Sequence, residues 1–215
     1  IEELLPVRWD TSLAQAITYL HHPPPDTDVD LLMEGKHPAQ TRLAFEELTA
    51  HQVSLRIVRE QIQKLQAPVL NSPSSSYAAV KQSFGFALTG AQQRVADEVA
   101  IDLMKSQPSL RLIQGDVGSG KTVIAALASV HSFENNLQTA LMAPTELLAE
   151  QHFINMSNWL APLGIKTAWL SGRVTGKKRV EELARILTGD AAVIIGTHAL
   201  FQKDVEFRNL GLVIV

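Results

Sequence analysis

Residues 115–122 are Gly115-Asp116-Val117-Gly118-Ser119-Gly120-Lys121-Thr122, which matches the pattern G-x-x-x-x-G-K-[ST] in full. Its glycines permit left-handed backbone conformations, so that successive N–H groups point into one hollow that accepts phosphate oxygens at a helix N-terminus. In this pattern the lysine reaches the β- and γ-phosphates, and the threonine hydroxyl holds Mg²⁺. We therefore predict a site for ATP and Mg²⁺ with Lys121 and Thr122 as catalytic residues and Thr122 as metal ligand. The alternative is a glycine-rich turn that binds nothing.

The sequence around this motif alternates short apolar runs with helical patterns. The apolar runs predict strands at 110–114, 139–143, 167–170, 192–195 and 212–215. Helices are predicted between them, at about 121–132, 146–160 and 178–187. Strands that are apolar on both faces and alternate with helices are typical of a parallel sheet covered by helices on both sides. We therefore predict an α/β fold in which a strand precedes the glycine-rich motif and a helix follows it.

Charge and composition divide the chain into two parts. Residues 1–80 carry 6 basic and 10 acidic side chains, and residues 81–215 carry 13 basic and 12 acidic ones. Residues 67–76, which we call the connector, are rich in proline, serine and other breakers of regular structure. The prediction is a helical linker over 1–80 and a P-loop domain over 81–215.

The first part is predicted to be mainly helical, with a break at Pro23-Pro24-Pro25, where three prolines favour a polyproline-like coil. Apolar residues then recur at helical spacing from Phe45 to Leu65, and Pro38 suits a first helical position. One long amphipathic helix is expected over 38–66. Its apolar stripe needs a partner, which favours packing against another domain over a coiled coil.

A second candidate nucleotide contact lies upstream of the motif. Thr89 and Gln92 have the spacing of a capping box, which would begin a helix. A glutamine amide can also read an adenine edge, and Phe86, six residues earlier, can stack on the ring. Both interpretations stay open, and both hold if the Gln92 side chain makes the capping contact and the adenine contact together.

Composition excludes several classes of protein. The 215 residues carry a net charge of −3, which excludes a polybasic DNA wrapper but not a local DNA-binding face. The absence of cysteine excludes disulfides, zinc ribbons and thiol catalysis. The seven histidines lack metal-ligand spacing, and no apolar run approaches the roughly 18 residues that span a membrane. Because the chain starts at Ile1 and stops within an apolar run, we expect it to be a piece of a longer protein.

Three motifs together resemble those of the RecG family of bacterial ATP-dependent DNA helicases. They are Gly-Asp-Val-Gly-Ser-Gly-Lys-Thr at 115–122, Met-Ala-Pro-Thr-Glu-Leu-Leu-Ala-Glu-Gln-His at 142–152 and Ile-Gly-Thr-His-Ala-Leu-Phe-Gln at 195–202. Segments at 1–6, 22–25 and 35–40 are similar to the region that joins the family's DNA-binding wedge to its motor. The transcription-repair coupling factor shares Gly-Asp-Val-Gly and Gly-Thr-His, but the N-terminal segments and Ala-Leu-Phe favour RecG.

The resemblance implies a RecA-like motor domain that uses ATP and Mg²⁺ to remodel branched DNA, such as stalled forks and Holliday junctions, in the bacterial cytoplasm. It implies a full-length monomer, with single-strand DNA-binding protein as a partner and no membrane. It also suggests DNA contacts at Thr145, a natural helix cap, and at Thr197 and His198, which follow a strand. A run of cations supplies further candidates for phosphate contact: Arg173, Lys177, Lys178 and Arg179. The alternative is that this run is only a solvated loop.

The family places its Walker B acid pair directly after the strand predicted at 212–215. The resemblance therefore implies that residues 1–215 lack the second Mg²⁺ anchor and the second motor domain with its arginine finger, which leaves this piece inactive alone. Two alternatives from other classes remain. One is a P-loop kinase of a small metabolite, although no arginine-rich lid is visible after Lys121. The other is a scaffold or interaction module.

Overall fold

The computed structural model describes residues 9–215. The segment 1–6, which contributed to the resemblance, lies outside the described residues. Two compact units divide between Lys64 and Leu65.

The first unit is helical, as its sequence pattern predicts. Its helices are α1 (Leu13–His21), α2 (Val29–Met33) and α3 (Pro38–Gln63). Ser12 and Gln15 form a capping box at the start of α1, and the three prolines lie in coil between α1 and α2. The long helix predicted at 38–66 is confirmed as α3, with Pro38 in its first turn and His37 as its N-cap.

Among residues 9–64, the contacts that cover the apolar stripe of α3 lie along its N-terminal half. There α1 packs against it, Ala16 and Ala39 are buried, and the Arg42 guanidinium lies 5.1 Å from the Trp9 ring centroid. Further along, Leu48 and Val58 are more than half exposed. Within the first unit, the C-terminal half of α3 therefore presents an apolar face to solvent.

The second unit contains five α-helices and four strands among its described residues. The helices that precede the sheet are α4 (Ser75–Ser83), α5 (Gly90–Leu103) and α6 (Lys121–Glu134). The strands and the intervening helices are β1 (Gln138–Met142), α7 (Glu146–Leu160), β2 (Thr167–Leu170), α8 (Gly176–Thr188), β3 (Val193–Gly196) and β4 (Leu210–Ile214). Short 3₁₀ turns occupy Ala161–Leu163 and His198–Phe201.

The four strands form one parallel sheet in the order β2-β3-β1-β4. Neighbouring residues of β3 face opposite sides: Val193 and Ile195 pack in a core with α4 to α7, whereas Ile194 packs in a second core with Ile186 of α8. Helices therefore cover both faces. The predicted α/β fold is confirmed, and four of the five predicted strands lie within two residues of their expected bounds.

The strand predicted at 110–114 is wrong, because these residues are coil. Leu110 is 90% exposed and Leu112 is 89% exposed, so neither is buried as a central strand requires. Arg111 instead forms ion pairs with Glu98 and Asp102 of α5, at 2.6 and 2.5 Å. The hydrogen bond from Arg111 is the main cause that lowers the pKa of Asp102. The segment that leads into residues 115–122 is therefore held by α5 and not by the sheet.

The connector belongs to the second unit in the structure, whereas the sequence placed the boundary between the two parts at residue 80. Leu70 is buried, and α4 begins at Ser75, inside the breaker-rich stretch. The last turn of α6 reaches this segment, because Glu134 accepts hydrogen bonds from the backbone of Ser74 and Tyr77. These long-range contacts could not be read from local composition, which marks only where regular structure breaks.

The close approach of β2 and β3 leads to a prediction about the free energy of unfolding. A Cβ added at Gly196 would overlap the carbonyl oxygen of Leu170, which is backbone and cannot move aside. We expect Gly196→Ala to destabilise the fold by about 1–3 kcal/mol or more. Urea denaturation followed by tryptophan fluorescence measures the change.

Gly172→Ala is the matched control, since a Cβ there meets no heavy atom within 4 Å. Its free energy of unfolding should stay within about 0.5 kcal/mol of wild type. Equal stability of the two variants would contradict the close approach of β2 and β3 at Gly196.

Candidate nucleotide-binding site and nucleic-acid interface

Residues 115–122 form a loop whose backbone has the predicted left-handed conformation at two glycines. Gly118 has φ +82° and Gly120 has φ +87°. A Cβ at Gly115 would lie 2.6 Å from the Ser119 hydroxyl oxygen. Side chains at these positions would therefore strain the turn or crowd it. The loop is exposed, and Val117 at its tip is fully open to solvent.

The loop leads directly into α6, whose first turn has no side-chain cap. Its N-cap residue is Gly120, so the free N–H groups and the positive end of the helix dipole remain for an anion. The Lys121 ammonium donates to the carbonyl oxygens of Gly115 and Asp116, at 2.6 and 2.9 Å. Thr122, the predicted metal ligand, lies half-buried in the same turn. The donor set suits a phosphate group.

Gln92 joins the start of α5 to this loop. Its Oε1 accepts from the Thr89 backbone, and the Thr89 hydroxyl accepts in return from the Gln92 N–H, which completes the capping box. Its Nε2 donates to the Ser119 carbonyl at 2.9 Å. One side chain therefore caps α5 and contacts the glycine-rich loop. The capping interpretation is confirmed, and the adenine contact stays a prediction.

Phe86, the second predicted contact to the base, offers an exposed ring in the segment before α5. Half of its surface is exposed, and it stacks on Phe84 with ring centroids 5.8 Å apart. Phe84 is itself buried against Trp159 in an edge-on contact. The buried pair fixes the Phe86 ring while leaving surface on which a planar group could stack.

The predicted DNA-contact residues meet at the carboxyl edge of the sheet. Thr145 follows β1, and its hydroxyl caps α7 by accepting from the Leu148 N–H at 3.3 Å. Thr197 follows β3 and is largely buried, while His198 is exposed at the start of a 3₁₀ turn. Backbone hydrogen bonds from Ala143 to Gly196 and from Thr197 to Leu170 hold the ends of these strands together.

The four predicted cations differ in how far they are committed to other contacts. Arg173 and Lys177 are about nine-tenths exposed, with Glu146 and Glu181 as partners at 2.5 and 3.8 Å. Lys178 is exposed. Arg179 is only 17% exposed, and its guanidinium binds both carboxylate oxygens of Asp204 as well as the Gln202 side chain. Three of the four therefore keep an exposed charged group, whereas Arg179 holds α8 to the loop after the 3₁₀ turn.

Sequence reasoning missed the partners of these residues. Glu146 faces Arg173 across 27 positions of sequence, Ser119 receives the Gln92 amide, and Asp204 holds Arg179. None of these pairs has helical or strand spacing, so only the fold brings them together. The Glu146 carboxylate in the first turn of α7 also suits the positive end of that helix dipole.

Among residues 9–215, no three His, Asp or Glu side chains gather into a group that could hold a metal ion. None of the helices that residues 9–215 form is long and apolar enough to cross a membrane.

Comparison with known proteins gives the same assignment over most of the chain. The profile of the DEAD/DEAH box helicase family matches residues 89–215. The ATP-dependent DNA helicase RecG of Haemophilus influenzae is 47% identical over the whole chain, and that of Escherichia coli K12 is 45% identical. The RecG of Aquifex aeolicus is 37% identical over 94% of the chain.

A solved structure supports the same likeness in three dimensions. The structure of RecG bound to a three-way DNA junction superposes on 82% of this chain with a TM-score of 0.75 and 39% identity. The chain corresponds to 24% of that protein and spans 32% of the length of the Haemophilus and Escherichia relatives. The resemblance to RecG drawn from the sequence motifs is confirmed, as is the RecA-like α/β fold class.

Proposed function

Because the chain belongs to the DEAD/DEAH box helicase family, we propose that it is the ATP-binding part of a DNA translocase that remodels branched DNA. The observation that carries this proposal is the uncapped start of α6, with Lys121 at the mouth of a glycine-lined hollow. The RecG relatives span about three times the length of this chain, so the activity belongs to the whole protein.

The residues of the hollow each have a role in holding a triphosphate. In the described structure the Lys121 ammonium is bound to two backbone carbonyl oxygens, which are weak partners for a full positive charge. An anionic phosphate between the loop and α6 would attract it more strongly, since opposite full charges add Coulomb attraction to the hydrogen bond. Lys121 then neutralises charge that develops on the β- and γ-phosphates, and the backbone N–H groups hold the phosphate still.

A magnesium ion fits the same turn. Thr122 places a hydroxyl in the first turn of α6, one residue beyond Lys121, and hydroxyl and phosphate oxygens are the ligands that Mg²⁺ prefers. Bound there, the ion would neutralise phosphate charge. Gln92 and Phe86 would hold the base of the nucleotide, because Gln92 lies against the loop and Phe86 exposes a ring on which a base could stack.

The DNA strand is proposed to run along the carboxyl edge of the sheet. The ends of β1, β2 and β3 place Thr145, Thr197 and His198 at this edge, together with the exposed cations Arg173, Lys177 and Lys178. A hydroxyl at a helix start and mobile ammonium groups bind phosphate without reading base sequence. This suits a motor that moves along DNA of any sequence.

The proposed substrate indicates where in the cell the whole protein acts. Forks and junctions of chromosomal DNA lie in the bacterial cytoplasm, where we place the enzyme. By resemblance to the family, it would act as a monomer and meet single-strand DNA-binding protein at forks. A double-strand DNA translocase of the transcription-repair coupling type has the same P-loop chemistry and is the nearest alternative.

The nucleotide site is tested by Lys121→Ala in the full-length protein. Removal of this ammonium takes away a cation that the loop places on the phosphates, so ATP hydrolysis stimulated by forked DNA should fall by at least about 10²-fold. The fold should survive, since the Lys121 side chain is exposed and not part of a core. Steady-state phosphate release measures the rate, and circular dichroism reports on folding.

Lys36→Ala is the matched control, because Lys36 is a 70% exposed lysine that pairs only at the surface with Glu34. Its hydrolysis rate should stay within about twofold of wild type. Wild-type turnover by Lys121→Ala would remove the P-loop assignment.

The DNA edge is tested by replacing Arg173, Lys177 and Lys178 together with alanine. If all three contact phosphates, the slope of log K against log salt for duplex DNA should flatten by about 2.7, at roughly 0.9 per contact. Fluorescence anisotropy over a salt series measures the slope.

The control replaces three cations at the opposite, amino edge of the sheet, Lys105, Lys166 and Arg208, which changes net charge equally. Lys166 immediately precedes β2, Arg208 lies two residues before β4, and Lys105 follows the end of α5. An equal slope change in both triple variants would show that net charge, and not the carboxyl edge, sets the salt dependence.

A further inference from the structure

We propose that Glu134, at the end of α6, is a positioning residue that couples the nucleotide site to the connector and so transmits ATP-driven movement to the preceding unit. This inference rests on the proposed function as an ATP-driven DNA motor. The connector runs directly on from the unit that ends at Lys64, so its movement would be passed along the chain.

Two helices run from the nucleotide site to the connector. Helix α6 begins with Lys121 and Thr122 and ends at Glu134. Helix α5 begins beside the loop, where Gln92 binds the Ser119 carbonyl, and ends at Leu103. The two helices pack on each other, and both have their N-termini at the loop.

The C-terminal ends of both helices hold the connector. The backbone N–H groups of Ala67 and Leu70 donate to the carbonyl oxygens of Ser106 and Leu103, at 2.9 and 3.2 Å. Leu70 is also buried. One end of the connector is therefore tied to the end of α5.

The other end is tied to α6 by three neighbouring side chains. The Glu134 carboxylate accepts from the Ser74 N–H at 2.9 Å, the Ser74 hydroxyl at 2.5 Å and the Tyr77 N–H at 3.0 Å. The Asn135 amide oxygen accepts from the Asn71 N–H at 2.8 Å, and His131 Nε2 lies 2.7 Å from the Asn71 carbonyl oxygen. Since that partner is a carbonyl, Nε2 is the donor.

Glu134 is the charged member of this set, and its carboxylate is held in the ionised form. Partial burial by itself raises its pKa, but hydrogen bonds from the side chain and backbone of Ser74 and from the Tyr77 backbone outweigh it, so the pKa lies below its ordinary value of 4.5. The carboxylate also caps the start of α4, where Ser74 makes no side-chain cap of its own. Glu134 therefore joins the end of one helix to the start of another.

The part of α6 between the nucleotide site and Glu134 is rigid. From Ala126 to Ser132, α6 is buried without interruption in the core between the sheet and α4, α5 and α7. A buried helix moves as a unit, because a close-packed interior does not deform continuously. A shift of the first turn of α6 when phosphate binds would therefore move Glu134 and the connector with it.

The test uses Glu134→Gln in the full-length protein. An amide has one oxygen and turns an N–H₂ toward a donor of Ser74 or Tyr77, so the tie weakens while side-chain shape is kept. DNA-stimulated ATP hydrolysis should stay within about twofold of wild type, whereas fork unwinding should fall about tenfold. The quantity to compare is base pairs unwound per ATP hydrolysed, which a loss of folded protein alone leaves unchanged.

Glu206→Gln, at an exposed carboxylate in the loop before β4, is the matched control and should keep the wild-type ratio. Ser74→Ala, which removes only the hydroxyl bond to Glu134, is the second variant if Glu134→Gln folds poorly, and it should lower the ratio in the same direction. An unchanged ratio in both variants overturns the inference. If wild-type protein shows no DNA-stimulated hydrolysis, the proposed function fails instead, and the two failures are distinguishable.

Discussion

The burial of α6 is the constraint on which the rest of the second unit depends. Seven successive residues, 126–132, are buried between the sheet and three other helices, so the helix behaves as one rigid unit. Both of its ends reach the surface, and each carries polar chemistry. One end offers free N–H groups and an ammonium, and the other offers a carboxylate, an amide and an imidazole.

The parallel sheet determines which polar groups can meet. Because all four described strands run the same way, the residues that follow β1, β2 and β3 gather at one edge. The ion pairs of the cations at that edge show which of them stabilise the fold and which are available to bind phosphate. Arg179 is committed to Asp204 and stabilises the loop after the 3₁₀ turn, whereas Arg173 shares an exposed pair with Glu146 that a phosphate could replace. Exposed pairs of this kind are weak, so the exchange costs little.

Features that depend on local sequence pattern were predicted correctly from the sequence. The helix over 146–160, the strand over 167–170 and the capping box of Thr89 and Gln92 follow from spacing alone, and the structure has them at those positions. The strand predicted at 110–114 failed because its apolar residues lie outside the core and Arg111 binds α5 instead. The ties of Glu134 to Ser74 and of Gln92 to Ser119 span 60 and 27 positions of sequence, so only the folded chain brings them together.

The central claim is that the hollow between the glycine-rich loop and α6 holds the triphosphate. A crystal structure of the full-length protein with Mg²⁺ and a non-hydrolysable ATP analogue tests it most directly. We expect the Lys121 ammonium to leave the carbonyl oxygens of Gly115 and Asp116 and to bind phosphate, with the N–H groups of the first turn of α6 donating to the same phosphate. A nucleotide bound elsewhere, with Lys121 still on the two carbonyl oxygens, would contradict the account.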